Sequence, residues 1–151
     1  MADVQTVSIV IASAGVFAAA VYYIVQLRHQ TRMRQTDLAL RLYSAVTARE
    51  WLEAWEKFRD REILNYNNYK KKYGLVEFNE VVGAFEEVGV LLRRKLIDIE
   101  LADDLFSGSV KMVWEKAKLI IEDGRKLSNR PRLLRNFEYL YNEMQKRTQK
   151  L

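Results

Sequence analysis

The sequence predicts an all-α protein in which a single N-terminal transmembrane helix continues into a cytoplasmic bundle of about four helices. An uncharged apolar run, "VSIVIASAGVFAAAVYYIVQL", extends from Val7 to Leu27. The apolar residues after it recur at steps of three and four, as on one face of a helix. Alternating β-branched runs, which would predict strands, are missing, and the one candidate hairpin pair, Asp123-Gly124, follows a helical pattern. We therefore expect a short extracytoplasmic N-terminus at 1–6, a transmembrane helix at 7–27 and a cytoplasmic helical domain at 28–151.

The apolar run has the length of a membrane anchor. About 21 residues at about 1.5 Å each span roughly 30 Å, the thickness of the hydrocarbon core of a bilayer. A cleaved signal peptide fits less well, because Met1, Ala2 and Asp3 include no basic side chain and the run exceeds the usual signal core of about 7–15 residues. A buried core helix also fits less well, since a helix that is apolar on every side is unusual in a chain this short.

Basic residues after the run predict its orientation. Arg28, Arg32 and Arg34 follow the run, whereas the only charged residue before it is Asp3. Because basic residues stay on the cytoplasmic side, we expect a single-pass protein of the cell membrane with its N-terminus outside. The absence of cysteine is compatible with a reducing compartment around the C-terminal domain. The predicted membrane-interface residues are Tyr22, Tyr23, Arg28, His29, Arg32 and Arg34.

A stripe of small residues follows one side of the predicted anchor. Ser8, Ala12, Gly15 and Ala19 recur at steps of four, three and four. Small residues let membrane helices approach each other closely, although spanning helices are also generally rich in glycine. The opposite side carries larger residues such as Phe17, so the two sides differ. We expect the stripe to be a surface for helix–helix association.

The residues after the anchor are enough for one modest core, since about 120 residues remain. With one proline and six glycines, the chain has no flexible linker between domains. We expect the anchor helix to continue to about Ile63, because no glycine or proline lies between Gln26 and Asp60. The segment at 65–74, "NYNNYKKKYG", predicts an asparagine-rich turn closed by a glycine. The inner face of the continued helix is predicted to carry Leu38, Leu42, Ala45, Ala48, Leu52 and Trp55.

Three further helices are predicted from apolar spacing. The segment at 98–106, "DIELADDLF", predicts a short helix or tight corner, and Ser107 or Ser109 is expected to cap the helix that follows. The Asp-Gly pair at 123–124 predicts the end of that helix, and Pro131 suits the first turn of the last one. The first of the three helices is predicted to bury Phe78, Val81, Phe85, Val88, Leu92 and Leu96. The second is predicted to bury Val110, Val113, Trp114, Ala117, Ile120 and Ile121, and the last Leu134, Phe137, Leu140, Tyr141 and Met144.

Three segments of the second half resemble an uncharacterised prokaryotic family of small membrane-anchored helical proteins. The segments are "FEEVGVLLRRKLIDIELADDLFSG", "WEKAKLIIEDGR" and "NRPRLLRNFEYLYNEM". The similarity covers roughly residues 78–144, together with the plan of one N-terminal span and a basic junction. The family carries only a domain-of-unknown-function label, so the resemblance implies the fold and the topology and no activity. The residues that prompt the match are Glu87, Arg93, Trp114, Arg125, Phe137, Tyr139 and Tyr141.

Motifs of catalysis are scarce. The single histidine, His29, lies among arginines at the predicted membrane surface, where it has no partner to orient it as a general base. The chain has no phosphate-binding glycine loop, no dinucleotide fingerprint and no Glu-x-x-His or His-Glu-x-x-His pair. The acidic segment at 98–104 lacks the turn glycine and distal glutamate of a calcium loop, so helix-start acids explain it better. We expect no enzymatic activity, no catalytic residue, no metal and no cofactor.

Two charged groups leave alternatives open. One pair among Glu86, Glu87, Arg93 and Arg94 can turn inward and meet Arg125 in a buried ionic network. Alternatively, all four are surface charges, whose helix-spaced pairs are worth a few tenths of a kcal/mol.

The second group, Lys70, Lys71 and Lys72 interleaved with Tyr66, Tyr69 and Tyr73, has the residue types that neutralise phosphates and stack on bases. Three lysines are too small a footprint for useful affinity, and nucleic acid is not an expected partner.

The sequence favours a function in assembly over one in catalysis. Our leading hypothesis is a non-catalytic single-pass membrane protein that acts as an oligomerising scaffold or as an accessory subunit of a membrane complex. The expected partners are membrane lipids and either further copies of the chain or the other subunits of that complex. The alternative is a membrane-anchored binding module for an anionic lipid, a small ligand or a soluble partner.

Overall fold

The computed structural model describes residues 3–150, which form six α-helices and no strand. The all-α prediction is confirmed. The chain divides into two units, Met1–Gln35 and Thr36–Leu151. The predicted N-terminal segment 1–6 lies partly outside the described residues. The helices are α1 (Val4–Val46), α2 (Arg49–Asp60), α3 (Tyr66–Tyr73), α4 (Val76–Arg93), α5 (Ile99–Leu127) and α6 (Arg135–Thr148).

The core of the second unit is centred on α4, which packs against α2, α5 and α6, while α3 packs on α5. Phe85, near the middle of α4, joins these elements. Its ring stacks on Phe137 of α6, with centroids 5.4 Å apart, and meets Trp51 of α2 edge-on at 5.8 Å. Phe106 of α5 is a further edge-on neighbour at 6.5 Å. Aromatic side chains bury large areas and favour these offset and edge-on arrangements, so Phe85 ties four helices into one core.

The predicted inner faces of the last three helices agree with the observed core except at the end of α4. The predicted residues of α5 are all buried, and those of α6 are buried or half-buried. In α4 the prediction is wrong at its end: the helix stops at Arg93, and Leu96 is exposed while Ile97 is buried in its place.

The predicted continuation of the anchor helix to about Ile63 is wrong. The helix ends at Val46, and Ala48 has extended backbone (φ −65°, ψ 148°) before α2 begins. At about 3.6 residues per turn, a continuous helix would place Trp51 and Phe58 on the side opposite to Leu38. The break lets the face of α1 that carries Leu38 and the face of α2 that carries Trp51 and Phe58 both pack into the core. Ala45 and Leu52, which were predicted to be inside, are exposed.

Energetics explain this break without a glycine or proline. Burying one large aromatic side chain removes about 150–250 Å² from water, which is worth about 4–6 kcal/mol at about 25 cal/mol per Å². Trp51 and Phe58 both gain this burial. A backbone hydrogen bond lost at the break costs only about 1 kcal/mol. The Thr47 hydroxyl also donates to the carbonyl oxygen of Tyr43 at 2.9 Å, which closes the end of α1.

Side-chain caps explain two further differences from the prediction. Residues 66–73, predicted as a turn, form α3, because the Asn65 side chain accepts a hydrogen bond from the Asn68 amide at 2.8 Å and Gly74 ends the helix at φ 74°. Asp98 accepts from the Leu101 amide at 2.8 Å and so begins α5. The acidic segment forms the first turns of α5, and Ser107 and Ser109 lie inside that helix rather than at its cap.

The connection between α5 and α6 also differs from the prediction. Gly124 lies inside α5, where its missing side chain leaves room for the Tyr66 ring: a Cβ there would lie 3.3 Å from it. The helix continues past Gly124 to Leu127. Pro131 lies in the following turn, and α6 begins only at Arg135, after Leu134 with its left-handed backbone (φ 53°).

Candidate functional site

The first unit presents an apolar helical surface. Among residues 3–150, α1 is the one helix long and apolar enough to cross a membrane. Its most apolar window of 18 residues has a mean hydropathy of 2.1, and none of that window is buried. The large exposed side chains include Val10, Ile11, Val16, Phe17, Ile24 and Val25. A contiguous apolar surface of this size is typical of a membrane or protein contact site.

The predicted membrane-interface residues occupy the next turns of the same helix. Tyr22 and Tyr23 are exposed, and the Gln26 side-chain amide donates to the Tyr22 hydroxyl at 3.0 Å. Val25, Arg28, His29 and Arg32 line a shallow cavity of about 320 Å³ on the helix surface. Arg34 is exposed but lies outside that cavity.

The predicted association stripe faces solvent within the first unit. Ser8, Ala12, Gly15 and Ala19 are exposed along α1. The Ser8 hydroxyl donates to the carbonyl oxygen of Gln5 at 2.9 Å, within its own helix. A Cβ built on Gly15 would meet no atom within 4 Å, so that this side of the helix has room for another helix.

A cluster around Arg61 joins α2 to the next two helices. Arg61 Nη1 donates to Glu77 Oε2 at 3.1 Å and to the Tyr69 hydroxyl at 3.3 Å. Its guanidinium lies 4.9 Å from the centre of the Tyr73 ring. Lys116 of α5 donates to the Arg61 carbonyl oxygen at 2.8 Å. The sequence alone did not predict this cluster, because its members come from four different segments.

Charge and burial shift the ionisation of this cluster. The hydrogen bond from Arg61 lowers the pKa of the Glu77 carboxyl, and the same bond raises the pKa of Arg61. Burial raises the pKa of the Tyr69 hydroxyl. Tyr69 is fully buried, so its ring is not available to stack on a base in this conformation. The cluster therefore fixes the Tyr-Lys segment structurally.

Glu86 does turn inward, but it does not meet Arg125. Its carboxylate accepts hydrogen bonds from the Asn136 amide at 3.1 Å, the Phe137 amide at 2.8 Å and the Asn136 side chain at 2.6 Å. These amides belong to the first turn of α6, where a negative charge is favoured by the helix dipole. Arg125 instead pairs with Glu138 at 2.8 Å and donates to the Leu133 carbonyl oxygen. Of the two alternatives that the sequence leaves open, the network with Arg125 is therefore not formed.

The acidic start of α5 is tied to α6. Arg147 Nε lies 3.2 Å from Asp103 Oδ2, and Arg147 Nη1 lies 3.5 Å from Glu100 Oε1. Asp98 is engaged as the cap of α5. Within the described residues, no group of three or more histidine, aspartate or glutamate side chains is placed to hold a metal ion. Glu100 and Asp103 thus link the start of α5 to Arg147 of α6.

The fold defines a class of all-α proteins in which a long N-terminal helix, apolar enough to cross a membrane, precedes a helical bundle. Residues 9–144 match the family described as "Domain of unknown function (DUF4760)". The chain belongs to that family, and the resemblance to an uncharacterised family is confirmed. Neither a curated protein nor a solved structure matches the chain.

Proposed function

We propose that this chain is a non-catalytic single-pass membrane protein whose helical domain acts as an oligomerising scaffold or as an accessory subunit of a membrane complex. The observation that supports this most is the exposed apolar surface of α1. Its most apolar window has a mean hydropathy of 2.1 and is not buried by the rest of the chain. In water this surface is unfavourable at about 25 cal/mol per Å², whereas the hydrocarbon core of a bilayer accommodates it.

The basic residues of α1 that follow its apolar segment support an orientation with the helical domain in the cytoplasm. Arg28, Arg32 and Arg34 follow the apolar segment, and Tyr22 and Tyr23 lie just before them, where the boundary with the headgroups is expected. Because positive charges remain on the cytoplasmic side, the N-terminus would be outside.

Single-cysteine labelling tests this orientation directly, because the chain has no cysteine of its own. Asp3→Cys should react with a membrane-impermeant maleimide in intact cells, and Lys150→Cys should react only after permeabilisation. The reverse pattern would overturn the orientation, and labelling of both in intact cells would overturn anchoring with a cytoplasmic domain.

The stripe of small residues supports lateral assembly through the anchor. Ser8, Ala12, Gly15 and Ala19 are all exposed, and the space beside Gly15 is open. In lipid, helices associate through close packing of small residues, since the hydrophobic effect does not distinguish a helix neighbour from lipid.

Replacing one residue on each side of the anchor tests the assembly. Gly15→Leu should reduce the detergent-solubilised mass, because a large side chain separates the helices, while insertion is unaffected. Phe17→Leu, on the other side, is the matched control and should leave the mass unchanged. A parent protein that is monomeric and co-purifies with no other membrane protein, or the same assembly size in both variants, would contradict association through this stripe.

A further inference from the structure

We propose that the helical domain holds a binding site for a phosphate group between the end of α4 and the start of α6. The site is a cavity of about 310 Å³, here called the arginine cavity, lined by Val90, Arg93, Arg94, Arg135 and Asn136. It lies in the second unit of the chain. The proposal goes beyond the scaffold function and does not depend on it.

The arginine cavity combines two helix ends that are distant in sequence. Arg93 is the last residue of α4 and Arg94 follows it, while Arg135 begins α6. The chain thus brings three arginines, from the end of α4 and the start of α6, to one concave surface. Arg93 Nη1 donates to Asn136 Oδ1 at 3.4 Å, which leaves its other N–H groups for a ligand.

None of these three arginines takes part in an ion pair within residues 3–150. Many other arginines of the second unit do: Arg41, Arg49, Arg59, Arg61, Arg125 and Arg147 each lie within 4.0 Å of a carboxylate. The Glu86 carboxylate contacts one cavity residue, Asn136. It accepts hydrogen bonds from the Asn136 side chain and from the Asn136 and Phe137 backbone amides. The cavity therefore keeps a net positive charge.

The two helix ends are held rigidly relative to each other. Gly89 has no side chain, and a Cβ there would overlap the backbone carbonyl of Asn136, so the two backbones are in contact. Glu86 lies in α4, like Gly89, and its carboxylate accepts hydrogen bonds from the Asn136 and Phe137 backbone amides of α6. The backbone positions that carry the arginines are therefore fixed before a ligand arrives, which reduces the ordering cost of binding.

The donor set fits a phosphate group better than a carboxylate. A guanidinium donates two parallel hydrogen bonds to a pair of oxygens. A phosphate monoester presents three terminal oxygens and a charge of about −1.5 to −2, enough to engage several guanidiniums. A carboxylate has only two oxygens and one charge. The volume of about 310 Å³ also leaves room for part of the group that carries the phosphate, as small-ligand cavities begin at about 300 Å³.

Titration with inorganic phosphate tests the site. The full chain in a neutral detergent is titrated by calorimetry at constant ionic strength, with chloride as the reference anion. We expect saturable binding that weakens about tenfold in Arg93→Gln and in Arg135→Gln, since a hydrogen bond to a charged group is worth at least about that factor. Circular dichroism establishes that each variant is folded.

Arg132→Gln is the matched control, because it removes the same charge from an exposed residue that does not line the cavity. It should weaken binding by no more than about twofold, since charges outside the site are screened by salt. In this titration, three results would overturn the proposal: no saturable binding to the unaltered chain, equal binding in all variants, or a loss in Arg132→Gln as large as in Arg135→Gln.

A second arm distinguishes a lipid headgroup from a soluble phosphate compound. The chain is reconstituted in nanodiscs of phosphatidylcholine with phosphatidic acid, or with phosphatidylserine as a control for charge. If the site takes a lipid headgroup, phosphatidic acid should abolish binding of inorganic phosphate, whereas phosphatidylserine should weaken it only modestly. Equal binding in both discs identifies a soluble ligand. Each of these two outcomes supports the proposed site. Binding of inorganic phosphate in the discs that is unchanged in Arg135→Gln would overturn it.

Discussion

Adding one methyl group at Gly89 should separate α4 from α6. A Cβ at this position would overlap the backbone carbonyl of Asn136 and lie 3.1 Å from the Asn136 Cβ. Backbone atoms cannot rotate away as a flexible side chain can, so α6 must shift. Overpacking costs about 1–3 kcal/mol, and we expect the upper end, about 3 kcal/mol, for Gly89→Ala. The higher helix propensity of alanine offsets about 1 kcal/mol of this cost. The free energy of unfolding should therefore fall by about 2 kcal/mol.

Chemical denaturation of the full chain in neutral detergent measures this loss. The three tryptophans at 51, 55 and 114 all lie in the second unit, so their fluorescence follows its unfolding. Gly83→Ala is the matched control in the same helix, because a Cβ there would meet no atom within 4 Å. It should stabilise the domain by up to about 1 kcal/mol, and the two variants should differ by about 3 kcal/mol. Equal midpoints would refute the close contact between α4 and α6.

Two further predictions concern the core and the acid stability. Trp114 is 5% exposed, meets Phe137 edge-on at 5.1 Å and stacks on Tyr141 at 5.5 Å, so Trp114→Ala should cost about 3–5 kcal/mol in the same assay. Leu119→Ala, at an exposed position of α5, should cost about 0.5 kcal/mol or less, and similar losses in both would mean that the buried face is misassigned. The depressed pKa of Glu77 means that its contribution to stability is complete above its ordinary pKa of 4.5 and is lost as the pH falls through the lower folded-state value. Urea midpoints between pH 7 and pH 3 should therefore fall less steeply for Glu77→Gln than for the unaltered chain, and parallel curves would contradict a native bond with Arg61.

The parts of the fold that could be predicted are those where one helix buries one regular face. The face of α5, for example, follows from the spacing of Val110, Val113 and Ala117, and the structure buries all three. Such a face is written in consecutive turns of the sequence, so periodicity alone finds it. The long apolar helix was likewise found from residues within one segment, whereas its role as an anchor and the association role of its stripe stay predictions.

The break after Val46 was not predicted, because no glycine or proline marks it and the apolar spacing continues through it. It is decided by contacts with another helix: Trp51 meets Phe85 edge-on, and its indole N–H donates to the Val81 carbonyl oxygen at 3.4 Å. Tertiary packing overrides local propensity in such cases. For α3 the difficulty was different, since Asn65 and Gly74 are turn formers that also serve as helix ends.

The arginine cavity could not be predicted for a reason that also explains its charge. From the sequence, Glu86, Glu87, Arg93 and Arg94 could either turn one pair inward or all remain surface charges. In the structure the Glu86 carboxylate is engaged by the first turn of α6, at the Asn136 and Phe137 amides. The carboxylate that fixes α6 is therefore withdrawn from the arginines. The contact that holds the start of α6 against α4 thus leaves Arg93, Arg94 and Arg135 without a carboxylate partner. An anion that enters the cavity would supply the negative charge that the chain itself has placed elsewhere.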